Sequence, residues 1–228
     1  MFYYDWTMIL VIPGLLLGMW AQFKVKSAFQ KYERVQARNG LNAREIARRL
    51  LNRSGCENVS IESTAGHLTD HYDPRSNVLR LSSSVHGASS VAAIGVAAHE
   101  CGHAMQQQEG YGPLKLRSSL VPVVNFGSHL YFPLFLLGLV MSWEPLVNAG
   151  IICFGLTLLF ALVTLPVEFN ASSRAIRALS EGGYLDREEL SGAKAVLDAA
   201  ALTYVASAIS SLLQLVRLLI IARRNDRD

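Results

Sequence analysis

The chain has 228 residues, enough for one or two ordinary soluble domains, yet 51% are hydrophobic and 17% charged, and the apolar residues are gathered into long blocks. Such clustering marks membrane spans and argues against a wholly soluble protein. A net charge of +3 supplies no global field for nucleic acid, and Cys56, Cys101 and Cys153 lack the spacing of a disulfide framework or a cysteine zinc site.

The first apolar block, residues 8–23, follows the interfacial aromatics Phe2, Tyr3, Tyr4 and Trp6, so 1–23 is read as an uncleaved membrane anchor. Asp5 precedes it, and nine basic residues between Lys24 and Arg53 follow it against only Glu33 and Glu45. That asymmetry puts the N-terminus outside and residues 24–119 in the cytoplasm.

The pattern from 24 to 53 is helical, with Leu41, Ile46, Ala47, Leu50 and Leu51 on one side and Asn42 and Glu45 spaced for a capping box. Extended runs at 59–62 and 78–81 flank turn chemistry at Asp73-Pro74 and Ser76-Asn77, which predicts a hairpin or small sheet. The run 78–81 is a candidate for taking an extended peptide as an added strand, or else is core. Ser89 or Ser90 then caps a helix over 91–106, whose apolar part is too short to cross a bilayer.

Two spans at about 120–141 and 146–165 make a transmembrane hairpin, 120–166, that returns the chain to the side it left. Residues 167–198 are polar, and Asp186 with Glu189 marks a helix start there. Residues 199–228 form a last apolar helix with a basic tail. Its topology stays open, because a full crossing would put Arg223, Arg224 and Arg227 outside, and Gln214 and Arg217 lie within it.

The chemistry concentrates in His99, Glu100, Cys101, Gly102 and His103. Imidazoles four residues apart share a helix face and can converge on one tetrahedral zinc ion. Glu100 is offset toward the open position, where it can accept a proton from the attacking water and pass it to the leaving amine. Cys101 reads as a small buried helix residue. A catalytic zinc needs a third protein ligand. His129 and the carboxylates from Glu168 onward are the candidates. Glu168 is preferred because the two-span hairpin brings it back to the cytoplasmic surface.

The stretch from Glu168 through Asn170, Ala171 and Ser172 resembles the Glu-x-x-Ala-Asp element of HtpX-type and CAAX-prenyl-protease-type membrane metallopeptidases. Nearly the whole chain is similar to the YugP-type zinc metallopeptidases of bacterial membranes, through its anchor, the turn at Tyr72–Arg75, the motif helix, the two-span hairpin and the run Leu202, Thr203, Tyr204, Val205. The resemblance implies that His99, His103 and Glu168 are the ligands of one Zn²⁺ and Glu100 the catalytic base. It also shows a departure. Ser172 stands where that pattern has an aspartate that orients a ligand histidine, so that role is vacant or passes to Asn170, Ser172 or Asp73, with no choice among them.

The expected fold is a mainly α membrane protein, with three to four apolar helices and a small α+β zincin-like cytoplasmic domain whose short sheet lies beside the His-Glu-x-x-His helix. The expected activity is a membrane-bound zinc endopeptidase acting on peptide or protein substrates, in membrane-protein quality control. The competing readings are a site-2-type intramembrane protease, which would place the motif in a long apolar span, and a non-catalytic scaffold or transporter with a vestigial site. Tyr204, His71, His86 and Arg174 are chemically able to stabilise an oxyanion, and none is singled out.

Overall fold

A computed structural model describes residues 6–225. Phe2, Tyr3, Tyr4 and Asp5 of the anchor and Arg227 of the tail lie outside them. A 3-10 turn at Trp6–Leu10 leads into α1 (Ile12–Glu33), followed by α2 (Ala43–Arg53), β1 (Ser60–Thr64), β2 (His71–Asp73) and β3 (Val78–Ser82). Then come α3 (Ser83–His86), α4 (Val91–Gln108), α5 (Gly112–Val140), α6 (Glu144–Glu181) and α7 (Arg187–Asn225). The chain divides into two compact units. One comprises Gln22–Lys115 and Pro166–Ala201, the other Met1–Ala21, Leu116–Leu165 and Leu202–Asp228.

The first unit is built around α4. Its Ala92, Ala93, Ala97, Ala98, Cys101 and Gly102 are buried, and small side chains of this kind let neighbouring backbones approach closely. A Cβ placed on Gly102 would lie 2.5 Å from the Ala171 carbonyl oxygen of α6, and one on Gly95 would lie 3.3 Å from the Cβ of Ala193 in α7. The helix starts at Ser90, whose hydroxyl accepts the Ala93 N–H. α2 starts with the Asn42–Glu45 capping box and buries Ile46, Ala47, Leu50 and Leu51. Each such cap is worth about 1 kcal/mol.

The helical pattern of 24–53 proves to be two helices rather than one. α1 ends at Glu33 and α2 begins at Ala43, and in the break Gly40 takes φ +72°, a left-handed backbone that glycine adopts without a Cβ clash. That break is tied to the start of α7. The Arg38 N–H donates to Glu189 Oε1 at 2.8 Å, and the Arg38 guanidinium meets Asp186 at 2.6 Å. Asp186 and Glu189 in turn exchange hydrogen bonds in a second capping box.

The sheet has the order β1-β3-β2. β1 runs parallel to β3 with Ser60 opposite Val78, and β2 runs antiparallel with Tyr72 opposite Leu79. β3 is therefore the central strand, with both edges paired and Val78, Leu79, Leu81 and Ser82 buried. It is core and not the strand to which a peptide could add. β2 is the free edge on its side of the sheet.

In the second unit the hairpin of α5 and α6 turns at Ser142, which has φ +50°. Its arms approach through glycines. A Cβ on Gly138 would lie 2.5 Å from the Val147 nitrogen, and one on Gly150 would lie 2.7 Å from that of Phe135. Small residues serve apolar helices in this way wherever packing, not the hydrophobic effect, must hold them together. Arg217, the cation inside the last apolar segment, donates Nε–H to Thr7 Oγ1 at 3.2 Å. Phe126, Val140 and Ile152 are 69, 74 and 68% exposed, as suits surfaces turned toward lipid. Among the described residues, four helices are long and apolar enough to cross a membrane. The protein is mainly helical and membrane-embedded, with a small α+β part.

Candidate metal centre

Two helices of the first unit supply the site. His99 and His103 lie one turn apart on α4, with ring centroids 4.8 Å apart and planes at 86°. Glu168 comes from α6 and is only 2% exposed. One of its oxygens, Oε2, lies 3.3 Å from His99 Nε2 and 3.7 Å from His103 Nε2. The three residues form a group whose donor atoms all lie within 4.8 Å of one another.

This set fits a zinc ion. Ligands held tetrahedrally at about 2.0–2.1 Å are themselves about 3.3–3.4 Å apart, close to the two separations between Glu168 and the imidazoles. The electrostatics also favour a cation. Burial alone would push the His103 imidazolium toward losing its proton, but the hydrogen bond it donates to Glu168 and the charges of Glu100 and Glu168 outweigh it and raise the pKa.

The far ring nitrogens are engaged as well. His99 Nδ1 lies 3.1 Å from Ser172 Oγ, and His103 Nδ1 lies 3.0 Å from Gln106 Oε1. Donating Nδ1–H to these oxygens leaves each Nε2 lone pair for a metal. Of the three residues weighed for orienting a ligand histidine, Ser172 contacts one directly. Asp73 instead builds the β2–β3 turn by accepting from Arg75 N–H, Ser76 Oγ and Arg80. Gln106 was not foreseen. Its position in the glutamine run 106–108 reads as the polar end of a helix.

Glu100 lies on the flank of α4 toward the sheet, where Oε2 accepts the Tyr72 N–H at 2.9 Å. In an antiparallel ladder alternate residues turn both backbone groups away from the partner strand. Tyr72 belongs to that outward set, so its carbonyl also points out from the edge. The remaining candidates are placed elsewhere. Arg174 donates to Asn170 and Glu109 and lies over the Tyr111 ring, 5.8 Å from its centroid. His71 Nδ1 lies 2.9 Å from the Thr69 carbonyl, and His86 closes α3. His129 and Tyr204 belong to the other unit.

Residues 7–223 match the family described as "Putative neutral zinc metallopeptidase". The chain belongs to this family. It is also 49% identical over 219 residues to a Bacillus subtilis (strain 168) protein named "Putative membrane protease YugP", a match that covers 96% of this chain and 97% of that one. No solved structure matches. Family membership implies zinc, and among the described residues His99, His103 and Glu168 form a group that could hold it.

Proposed function

We propose that the protein is a membrane-bound zinc endopeptidase of the His-Glu-x-x-His…Glu type, with His99, His103 and Glu168 as ligands of one ion and Glu100 as general base. The observation that carries this reading is the convergence of Glu168 on both imidazoles across 69 residues of chain between it and His99. When bound, zinc supplies Lewis acidity to the attacking water and the scissile carbonyl.

The protein's own groups do the rest. The Glu100 carboxylate, steadied by the Tyr72 N–H, accepts a proton from the attacking water and returns it to the departing amine. An extended peptide beside β2 finds the outward Tyr72 carbonyl as an acceptor for one of its N–H groups. The charge asymmetry after the first span supports a cytoplasmic site, and with it a role in turning over membrane or misfolded proteins.

Purified protein tests the assignment. Glu100→Gln should retain stoichiometric zinc and lose about 10²–10⁴-fold in peptidase activity, whereas Glu168→Ala should lose the metal. Wild-type protein without zinc, or zinc unchanged in Glu168→Ala, would refute the ligand set.

A further inference from the structure

Gln106 is completely buried, yet the proposed chemistry makes no direct use of it. Its amide nitrogen lies 2.8 Å from the Val167 carbonyl oxygen and 2.9 Å from Asn170 Oδ1. Asn170 Oδ1 also takes the Arg174 Nε–H at 2.7 Å.

The direction of every bond in this chain follows from what each group is able to do. Arginine has no acceptor, so the Asn170 atom facing it must be oxygen. A backbone carbonyl cannot donate, so the Gln106 group facing both Val167 and Asn170 must be NH₂, and both of its hydrogens are used. The Gln106 atom left for His103 is then an acceptor only, and His103 Nδ1 must carry a proton to meet it. Gln106 thereby fixes a proton on Nδ1 and leaves Nε2, the atom on the Glu168 side, as the nitrogen that can turn its lone pair to a metal.

We infer that Gln106 is a positioning residue for the metal centre: it locks the ligating tautomer of His103, and by gripping the carbonyl of Val167 it holds the neighbouring Glu168 at the same height. The polarity of the lock is set by the Val167 carbonyl and, through Asn170, by Arg174. The inference rests on the zinc reading of the site. The tautomer itself can be measured in metal-free protein at alkaline pH, above the raised pKa of His103, where the ring is neutral.

Two substitutions distinguish positioning from a merely structural role. The carboxylate of the Gln106→Glu variant can still accept from His103 but faces the Val167 oxygen with repulsion. Gln106→Met keeps the bulk and loses the acceptor. Positioning predicts that Glu preserves, and Met abolishes, the Nδ1–H tautomer of His103. A role confined to bridging Val167 predicts the opposite order, with Glu the worse of the two.

The measurement is ¹⁵N NMR of full-length, histidine-labelled protein in detergent, with the His103 signals assigned by their loss in His103→Gln. Zinc affinity by chelator competition should fall about 10–100-fold in Gln106→Met, the usual cost of losing a partner behind a ligand, and much less in Gln106→Glu. An unchanged Nδ1–H tautomer in a folded Gln106→Met protein would overturn the inference. So would weaker zinc binding in Gln106→Glu than in Gln106→Met. Wild-type protein that binds no zinc at all would instead defeat the reading of the site and leave the tautomer result standing.

Discussion

Gly102 is the position where a single carbon should act on the metal centre from outside it. The Cβ of an alanine there would sit 2.5 Å from the Ala171 oxygen, 3.0 Å from its carbonyl carbon and 3.1 Å from its Cα. These are backbone atoms that cannot rotate away. Carbon contacts relax at about 3.5 Å, so the two helices must part by about 1 Å. Ala171 lies between Glu168 and Ser172 on α6, so the movement carries the proposed third ligand and the His99 partner away from α4 together. Donor separations of 3.3 and 3.7 Å would then open beyond tetrahedral reach. Gly102→Ala should cost about 1–3 kcal/mol in stability as overpacking and about 10–100-fold in zinc affinity. Gly95→Ala is the control. Its added carbon meets the Ala193 side chain at 3.3 Å, and the helix propensity gained, up to about 1 kcal/mol, offsets the crowding. Chelator competition and thermal melts of both variants give the answer. Wild-type zinc affinity in Gly102→Ala would refute the argument that α4 and α6 are held at contact distance for the sake of the site.

Three further outcomes are expected. Gly150→Ala should destabilise the α5–α6 hairpin, whereas Gly155→Ala, where an added carbon meets nothing within 4 Å, should not; protease sensitivity of the two variants in detergent reads the difference. Removing zinc with a chelator should lower the melting temperature, and restoring it at about 100 times its dissociation constant should return about 2.7 kcal/mol. Asp73 is held at a pKa of about 2 by its bonds to Ser76, Arg75 and Arg80, below the ordinary 3.8. Its contribution is therefore complete above the ordinary value and is lost as pH falls from about 4 to 2. Metal-free Asp73→Asn should be less stable at neutral pH, and its deficit relative to wild type should shrink through that window in acid-unfolding curves.

What was legible in the sequence was largely local. The caps at Asn42 and Asp186 are bonds between a side chain and a backbone group three residues away and occur as read, and of the alternatives Ser89 and Ser90 it is Ser90 that caps α4. The motif spacing set His99 and His103 on one face, and the two-span hairpin pointed to Glu168. The sheet order was not legible, because β3 becomes central through a parallel neighbour and an antiparallel one, and pairing across the sheet leaves no mark within five residues of strand. The break after α1 carried a signal that went unused, the Asn39-Gly40 dipeptide. Ser172 was one of three alternatives, and only the approach of α6 to α4 distinguishes it. Gln106 was hidden because a buried glutamine and a surface one have the same sequence signature.

The first unit is interrupted in sequence: its two parts, Gln22–Lys115 and Pro166–Ala201, are separated by fifty residues assigned to the other unit. A ribosome finishes the first part long before the second. Until residue 168 has emerged, the two histidines have no carboxylate partner from α6, and until residue 189 has emerged, the backbone of Arg38 has no Glu189 to anchor it. A chain that stalls or is truncated within the α5–α6 hairpin thus carries the His-Glu-x-x-His motif without Glu168, the proposed third ligand. The proposed metal centre draws its last residue from sequence made after the apolar hairpin, so the order of translation sets when the three groups can first meet.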